Sequence, residues 1–418
     1  MSLIKQPFKG MRDILPKEKE LRDYVYAQIE SVYKRYGFNV IETPVLEHIE
    51  NLSGNMGGEN EKLVFQVLKR GEKLSSAIEN KTELCDGGLR YDLTMPLTRY
   101  FACNMDLLPY PFKTMQFGDV FRADRPQKGR TRQFKQCDID ILGESGIWAE
   151  IELLSATTTF LKTLQNVNFT IKINDRRILK ALCEKSGFSE NNYDDVLIAL
   201  DKLDKIGIDG VRKELLNIEQ DETIVNNYIE FLEQINKSDD KLAYLNEYFN
   251  NSEISEIIGN IKFIIEAVKN NCKIDFDITI VRGMGYYTGT IYEIYCDNYG
   301  FAIGGGGRYD NMVGGFTGQN VPAVGISIGF ERLILLLTEI GYEIKDKQEK
   351  IAILFDGGLS NTEYLELLKV VNELRQEKIV YLNKKSKNVK RQKETLFDLG
   401  FCEFIDVKSG EDINKIKL

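Results

Sequence analysis

Between about residues 175 and 272 the chain is rich in Lys, Glu, Asp, Asn, Leu and Ile at helical spacing, with strand-like runs on both sides. This segment reads as a helical insertion that interrupts a strand-bearing core. Upstream, Leu21, Tyr24, Val25, Ile29, Val32 and Tyr33 recur at helical spacing within 18–36, and Gly37 closes that helix. Phe38–Thr43 then reads as a strand stopped by Pro44, which cannot continue a ladder. Short strands are expected near 63–68 and 113–121, and helices near 94–104 and 150–164.

Downstream, strand-like runs return from Phe276 to Ile303, the glycines Gly304–Gly307 follow, and an apolar-faced helix is expected over 329–340. A polar linker at 345–350 leads to a strand, helix, strand, helix, strand order over 350–407, the pattern of a small α/β domain with a partly parallel sheet. The boundaries expected are therefore 1–174 and 273–344 for the two parts of the core, 175–272 for the insertion and 350–418 for the last domain. A chain of 418 residues has room for two to four such units.

Composition narrows the chemistry. Lys and Arg total 55 against 64 Asp and Glu, a net charge of −9, so nucleic-acid contact must come from local patches. The seven cysteines are scattered with no CxxC spacing, which fits reduced, mostly buried thiols. His48 is the only histidine and lies outside every motif below, which excludes His-based triads, HExxH zinc sites and the facial-triad iron sites. The longest aliphatic run, Leu333–Leu337, is too short to cross a bilayer, and the amino terminus lacks the order of a secretory signal. A cytoplasmic protein without a membrane partner is expected.

Four stretches carry chemistry. Residues 122–135 hold six cations (Arg122, Arg125, Lys128, Arg130, Arg132, Lys135) against Asp124, a local balance of +5. Pro126 and Gly129 place a turn between two β arms, so the arginines can converge on one polyanion; a phosphate chain and a nucleic-acid end both suit it. In the following strand Gln136, Asp138 and Asp140 share one face while Cys137, Ile139 and Ile141 share the other. With a further carboxylate at Asp92, beside Thr94, such acceptors suit a cationic amine or a hydrogen-bonding ring.

The third stretch is Val281–Thr290 with its paired Tyr286 and Tyr287, followed by Gly304–Gly307 and Arg308-Tyr309-Asp310. Glycines inside β-like segments weaken a sheet unless a ligand or another backbone must come very close; a tight turn is the other reading of the run. No GxxxxGK[ST] loop or GxGxxG fingerprint is present, so a bound nucleotide must be held by arginines. Fourth, Gly325–Leu337 reads as a strand entering a helix, with Arg332 in the first turns, where a cation gains from a nearby anion.

In this order the stretches resemble the histidyl-tRNA synthetases, a family of class II aminoacyl-tRNA synthetases, over nearly the whole chain. FRADRPQKGRTRQFKQCDIDILG is similar to the class II motif 2 and VGISIGFERL to motif 3. RGMGYYTGTIYE and GGGGRYD are similar to the two signatures peculiar to the histidine enzymes, and the helix-to-Pro44 segment resembles the dimer-forming motif 1.

The resemblance implies an α+β fold: a largely antiparallel core sheet, a helical insertion and a small anticodon-binding α/β domain. It implies a histidine pocket of Asp92, Gln136, Asp140, Tyr286 and Tyr287, and an ATP site of Thr94, Arg122, Arg130 and Arg332. Arg282 and Arg122 take the catalytic role at the reacting phosphate. ATP as substrate, Mg²⁺, histidine, tRNA(His) and a homodimer are the implied partners, with no protein-held metal and no DNA. Two features depart from the family: Gly285 stands where aspartate is frequent, and only 69 residues follow Glu349, with a polar tail after Phe401–Val407 where the family usually has a further strand and helix. A basic stripe of Lys384, Lys385, Lys387, Lys390, Arg391 and Lys393 suits phosphates there. The alternative is a catalytically silent histidine-sensing paralogue, similar to the regulatory subunit of ATP phosphoribosyltransferase, which needs no triphosphate clamp.

Overall fold

The computed structural model describes residues 3–53, 62–219, 221–282, 285–297, 299–345 and 347–411. Up to residue 329 its strands are β1 (Asn39–Ile41), β2 (Leu46–His48), β3 (Gln66–Leu68), β4 (Cys85–Leu89), β5 (Phe112–Phe121), β6 (Gln133–Leu142), β7 (Phe169–Asp175), β8 (Lys273–Phe276), β9 (Thr290–Cys296), β10 (Ala302–Arg308) and β11 (Ala323–Gly329). Eight of them form one sheet in the order β1-β5-β6-β11-β10-β9-β7-β8. The outer pairs β1–β5 and β7–β8 are parallel and all others antiparallel. Strands from before and after the helical segment interleave, since β6 pairs β11 and β7 pairs β8 and β9. The core is thus completed only when the chain returns from the insertion.

Period-two alternation places the core. On β6, Cys137, Ile139 and Ile141 are buried against the helix side, where helix Trp148–Thr163 contributes Leu153, Ala156 and Phe160. Helix Pro16–Arg35 buries Val25, Ile29, Val32 and Tyr33 at the spacing its sequence implies. A small antiparallel sheet, β2-β4-β3, stands beside Asp92 and carries the exposed His48.

The helical segment holds Arg176–Ser186, Tyr193–Leu200, Leu203–Ile218, Glu222–Lys237, Lys241–Phe249 and Ser252–Val268. Its helices begin where short polar side chains can satisfy free amides: Asp175, Asp221, Asp240 and Asn251 each accept from a first-turn N–H. Burial of Val225, Ile229 and Leu232 on helix Glu222–Lys237 and of Ile261 on helix Ser252–Val268 supplies the apolar stripes by which they pack.

Two compact units emerge, one of residues 1–12 and 28–336 and one of 13–27 and 337–418. In the second, β12 (Lys350–Phe355), β13 (Ile379–Lys384) and β14 (Glu403–Val407) form a sheet in the order β13-β12-β14. Both pairings are parallel, so the sheet is wholly parallel where a partly parallel one was expected. Helix crossovers between successive strands impose this. Ile351 and Ile353 pack on Leu367 and Val371 of helix Asn361–Leu374, while Ala352 and Leu354 pack on Leu396 of helix Val389–Asp398. Burial on both faces explains the unbroken apolar run of β12. Within the expected basic stripe, Lys385 is paired with Asp356 and Asp406, and Lys393 with Asp406. The final residues of the short tail, 412–418, lie outside the described residues. Among the described residues no helix is long and apolar enough to cross a membrane.

Candidate active site

β6 aims its polar face into a cavity of about 100 Å³ lined by Asp92, Thr94, Arg122, Gln136, Asp138, Asp140, Arg282, Tyr286, Tyr287, Gly305, Gly306, Tyr309, Gly325, Ile326 and Ser327. The wall opposite is made of backbone. The four-glycine run is no turn: it is the body of β10, paired to β9 on one side and β11 on the other. A Cβ at Gly305 would lie 2.5 Å from the Tyr292 carbonyl oxygen and 2.8 Å from an Arg282 nitrogen, and at Gly306 2.0 Å from the Gly325 carbonyl oxygen. Gly325 is tighter still, since its Cβ would fall 1.9 Å from Asp140 Oδ1. Glycine is required here for close approach, and the sheet accepts the entropic cost.

The acceptors of this cavity await a donor. Asp140 Oδ1 accepts the Tyr309 hydroxyl at 2.6 Å, but Oδ2 has no partner. Gln136 Nε2 donates to Ser327 Oγ at 3.0 Å, leaving Oε1 buried and unpaired, as is Asp138 Oδ1. Asp92 Oδ1 accepts the Met95 amide at 3.1 Å. Burial is the main cause that raises the pKa of all three carboxyls: Asp140 is pushed up to about 7, with Tyr309 opposing and Asp92 adding, and Asp138 well above its ordinary value, with Asp140 adding. Asp92 is raised less, because the Met95 amide and Arg122 favour its charged form. Three carboxyls held this way favour a cationic guest that brings its own N–H groups.

Guanidiniums gather beside them. Arg122 donates through Nε to the Tyr91 carbonyl at 3.1 Å and lies over the Tyr91 and Phe134 rings, 4.2 and 5.2 Å from their centroids. Stacking fixes the plane and leaves the other N–H groups to the cavity. Arg282 adopts φ +60°, a left-handed backbone unusual for a side chain of its size, and pairs with Glu293 at 3.1 Å. Its Nε is buried without a partner. Burial acts to lower its pKa, yet the Tyr287 phenol and Glu293 outweigh it and raise it. Arg332 donates to the Ala302 carbonyl and lies 5.4 Å from the Phe301 ring centroid. Burial first, then Arg130, Arg282 and Arg122, push its pKa down, with Glu293 offsetting part. Four cations that repel one another across this space make a ready receptor for a polyanion.

Of the residues expected from the sequence, Asp92, Thr94, Arg122, Gln136, Asp140, Arg282, Tyr286 and Tyr287 line one cavity. Arg130 and Arg332 do not line it, but the Arg332 guanidinium feels the charges of Arg130, Arg282 and Arg122. Gly283 and Met284 of the RGMGYYTGT signature lie outside the described residues. Sequence reasoning assigns Tyr309 no role and places Asp138 only among the acceptors of the β6 polar face, outside the implied histidine pocket. Tyr309 stood inside the glycine-run segment, and its hydroxyl reaches Asp140 only because β11 lies between β10 and β6. Arg308, buried with Glu150 (Nε–Oε1 2.7 Å, Nη2–Oε2 2.6 Å), ties β10 to helix Trp148–Thr163. Among the described residues no group of three or more His, Cys, Asp or Glu side chains is arranged to hold a metal ion.

The fold is that of a class II aminoacyl-tRNA synthetase. A histidyl-tRNA synthetase structure from Nostoc sp. PCC 7120 superposes with a TM-score of 0.79 at 27% identity, covering 98% of this chain and 93% of that one. One described as an ATP phosphoribosyltransferase regulatory subunit/histidyl-tRNA synthetase from Bacillus halodurans C shares the fold at 19% identity, with a TM-score of 0.78 and coverage of 98% and 100%. At the sequence level, a histidine--tRNA ligase of Leifsonia xyli subsp. xyli is 44% identical over 349 residues, 79% of this chain and 80% of the relative. The family profile described as Histidyl-tRNA synthetase matches residues 10–333. The chain belongs to the histidyl-tRNA synthetase family.

Proposed function

We infer that this chain ligates histidine to tRNA(His) through a histidyl-adenylate. The observation that carries this reading is the set of unpartnered acceptors on Gln136, Asp138 and Asp140 in the same cavity as Arg122 and Arg282. Cation-seeking and anion-seeking groups side by side suit an amino acid joined to a phosphate.

In the first step a carboxylate oxygen of histidine forms a bond to the α-phosphorus of ATP, the bond to the bridging oxygen breaks, and pyrophosphate leaves. The nucleophile is already ionised at neutral pH, so no base is needed, and one exposed histidine is no obstacle. Positioning and neutralisation of charge on the phosphoryl oxygens do most of the work. Arg282 is assigned to the reacting phosphate with Arg122 beside it, Arg130 and Arg332 to the outer phosphates, and Thr94 to the nucleotide wall. Asp92, Gln136, Asp140, Tyr286 and Tyr287 hold histidine. Mg²⁺ enters as part of the ATP substrate. In the second step the terminal ribose hydroxyl of the tRNA takes the histidyl group and AMP departs.

Residues 350–418 are assigned to the anticodon end of the tRNA, the assembly to a homodimer, and the reaction to the cytoplasm, where ATP and tRNA meet. No role for DNA follows from any residue discussed. Charging of a tRNA(His) transcript with labelled histidine tests the reading: histidyl ester is expected only when ATP and Mg²⁺ are present, and a failure to charge would reject it.

A further inference from the structure

Arg132 belongs to the arginine-rich stretch 122–135, yet it does not line the cavity. Its Nε donates to the Asp124 carbonyl, on the other arm of the hairpin, at 3.1 Å, and its Nη1 to the Lys9 carbonyl at 3.5 Å. Its backbone amide donates to the Gly10 carbonyl at 2.7 Å, and its own carbonyl accepts the Arg122 amide at 2.9 Å. Past the last β5–β6 pair, Phe121 with Gln133, the segment 9–12 thus takes over as a neighbour of the hairpin.

Gly10 makes this approach possible. Its φ of +85° suits glycine, and a Cβ there would fall 2.7 Å from Cδ and 2.8 Å from Cγ of Arg132, and 2.9 Å from Cγ of Pro126. Two residues on, Arg12 reaches Glu331 at 3.4 Å, and Glu331 also accepts the Lys135 amide at 3.2 Å. Glu331 precedes Arg332 on helix Phe330–Glu339. The turn of the hairpin leans on that helix too, since a Cβ at Gly129 would lie 3.3 Å from Leu335. Segment 9–12 therefore touches the hairpin that carries Arg122 and Arg130 and the helix that carries Arg332, while none of its own residues lines the cavity.

We propose that residues 9–12 form a strap that positions the triphosphate-binding arginines, with Gly10 acting through Arg132. This rests on the reading of the cavity as an ATP site. Arg132 is then a positioning residue: its guanidinium bridges two main-chain carbonyls from distant parts of the chain, Asp124 and Lys9. The planar fork of arginine serves that geometry, and a lysine ammonium does not.

Gly10→Ala forces the strap off Arg132 or turns the Arg132 side chain aside. In histidine-dependent pyrophosphate exchange we expect kcat/KM for ATP to fall about ten- to a hundredfold, the cost of misplacing a charged group by about an ångström. Histidine affinity measured by calorimetry without ATP should stay within about twofold. Arg132→Lys keeps the charge and should be impaired to a similar degree. The double variant Gly10→Ala/Arg132→Ala should be no worse than Arg132→Ala alone, because both changes break the same link.

Losses that add in the double variant, or an unchanged kcat/KM for ATP in Gly10→Ala, would overturn the proposal. Wild-type activity in Arg132→Lys would do the same, by making Arg132 a simple charge for the polyanion. So would a histidine affinity that falls as far as kcat/KM for ATP, or failure of both Gly10→Ala and Arg132→Ala to fold, since the strap would then serve the fold at large. A wild type that binds histidine but gives no exchange would instead reject the underlying reading.

Discussion

The Asp140→Asn substitution keeps the shape of a buried carboxyl and removes its ionisation, so it isolates what the cavity does to charge. In the folded protein Asp140 titrates at about 7 against an ordinary 3.8, chiefly through burial. The native state therefore holds a proton that the unfolded chain has lost between those values. Stability from this group is complete below the lower value and is lost as pH rises through the higher. A gap of about three units at about 1.36 kcal/mol each amounts to roughly 4 kcal/mol in all, most of it lost between about pH 5 and pH 8. Asp138, whose own rise Asp140 increases, moves in the same direction.

Urea unfolding of both proteins, followed by circular dichroism at about pH 5 and about pH 8, reads this out directly. We expect the variant to be the more stable protein at both, with an advantage that grows by roughly 3 kcal/mol between them. A stability difference that is flat with pH, or that shrinks as pH rises, would refute the claim that Asp140 sits protonated in the free cavity.

Other outcomes follow from the same geometry. Arg282→Ala should lower the rate of exchange by about a hundred- to a thousandfold with little change in melting temperature, and unaltered exchange would remove Arg282 from the reacting phosphate. Gly325→Ala places a Cβ 1.9 Å from Asp140 Oδ1, so the carboxylate must swing aside. Its histidine KM should rise at least about tenfold while the ATP KM holds, and a folded variant with a normal histidine KM would contradict the close approach. Glu150→Ala leaves the buried Arg308 guanidinium with the Asp310 carboxylate and the Glu144 and Gly146 carbonyls, without its bidentate anionic partner. A stability loss of about 3 kcal/mol is expected by denaturant titration, and a loss below about 1 kcal/mol would show that the pair is dispensable.

The polar face of β6 was legible because period-two alternation needs only the strand itself: Gln136, Asp138 and Asp140 had to point one way once Cys137, Ile139 and Ile141 pointed the other. The helical segment was legible for a similar reason, its stripes being local. Convergence of Arg122, Arg130, Arg282 and Arg332 was not, because it depends on β10 and β11 being inserted between β6 and β9 after a long excursion. Only the family resemblance supplied that long-range order. The role of Gly304–Gly307 stayed open between a turn and a strand, since crowding from neighbouring backbones decides it and periodicity is silent on a run without side chains. Tyr309 escaped notice because its hydroxyl acts across two strand spacings.

Histidine-dependent exchange of labelled pyrophosphate into ATP tests the meeting of amino acid and nucleotide most directly. We expect exchange with histidine and none with other amino acids, in the absence of any tRNA. A protein that binds histidine in this cavity yet returns no label to ATP would be a sensor of the amino acid and not its activator.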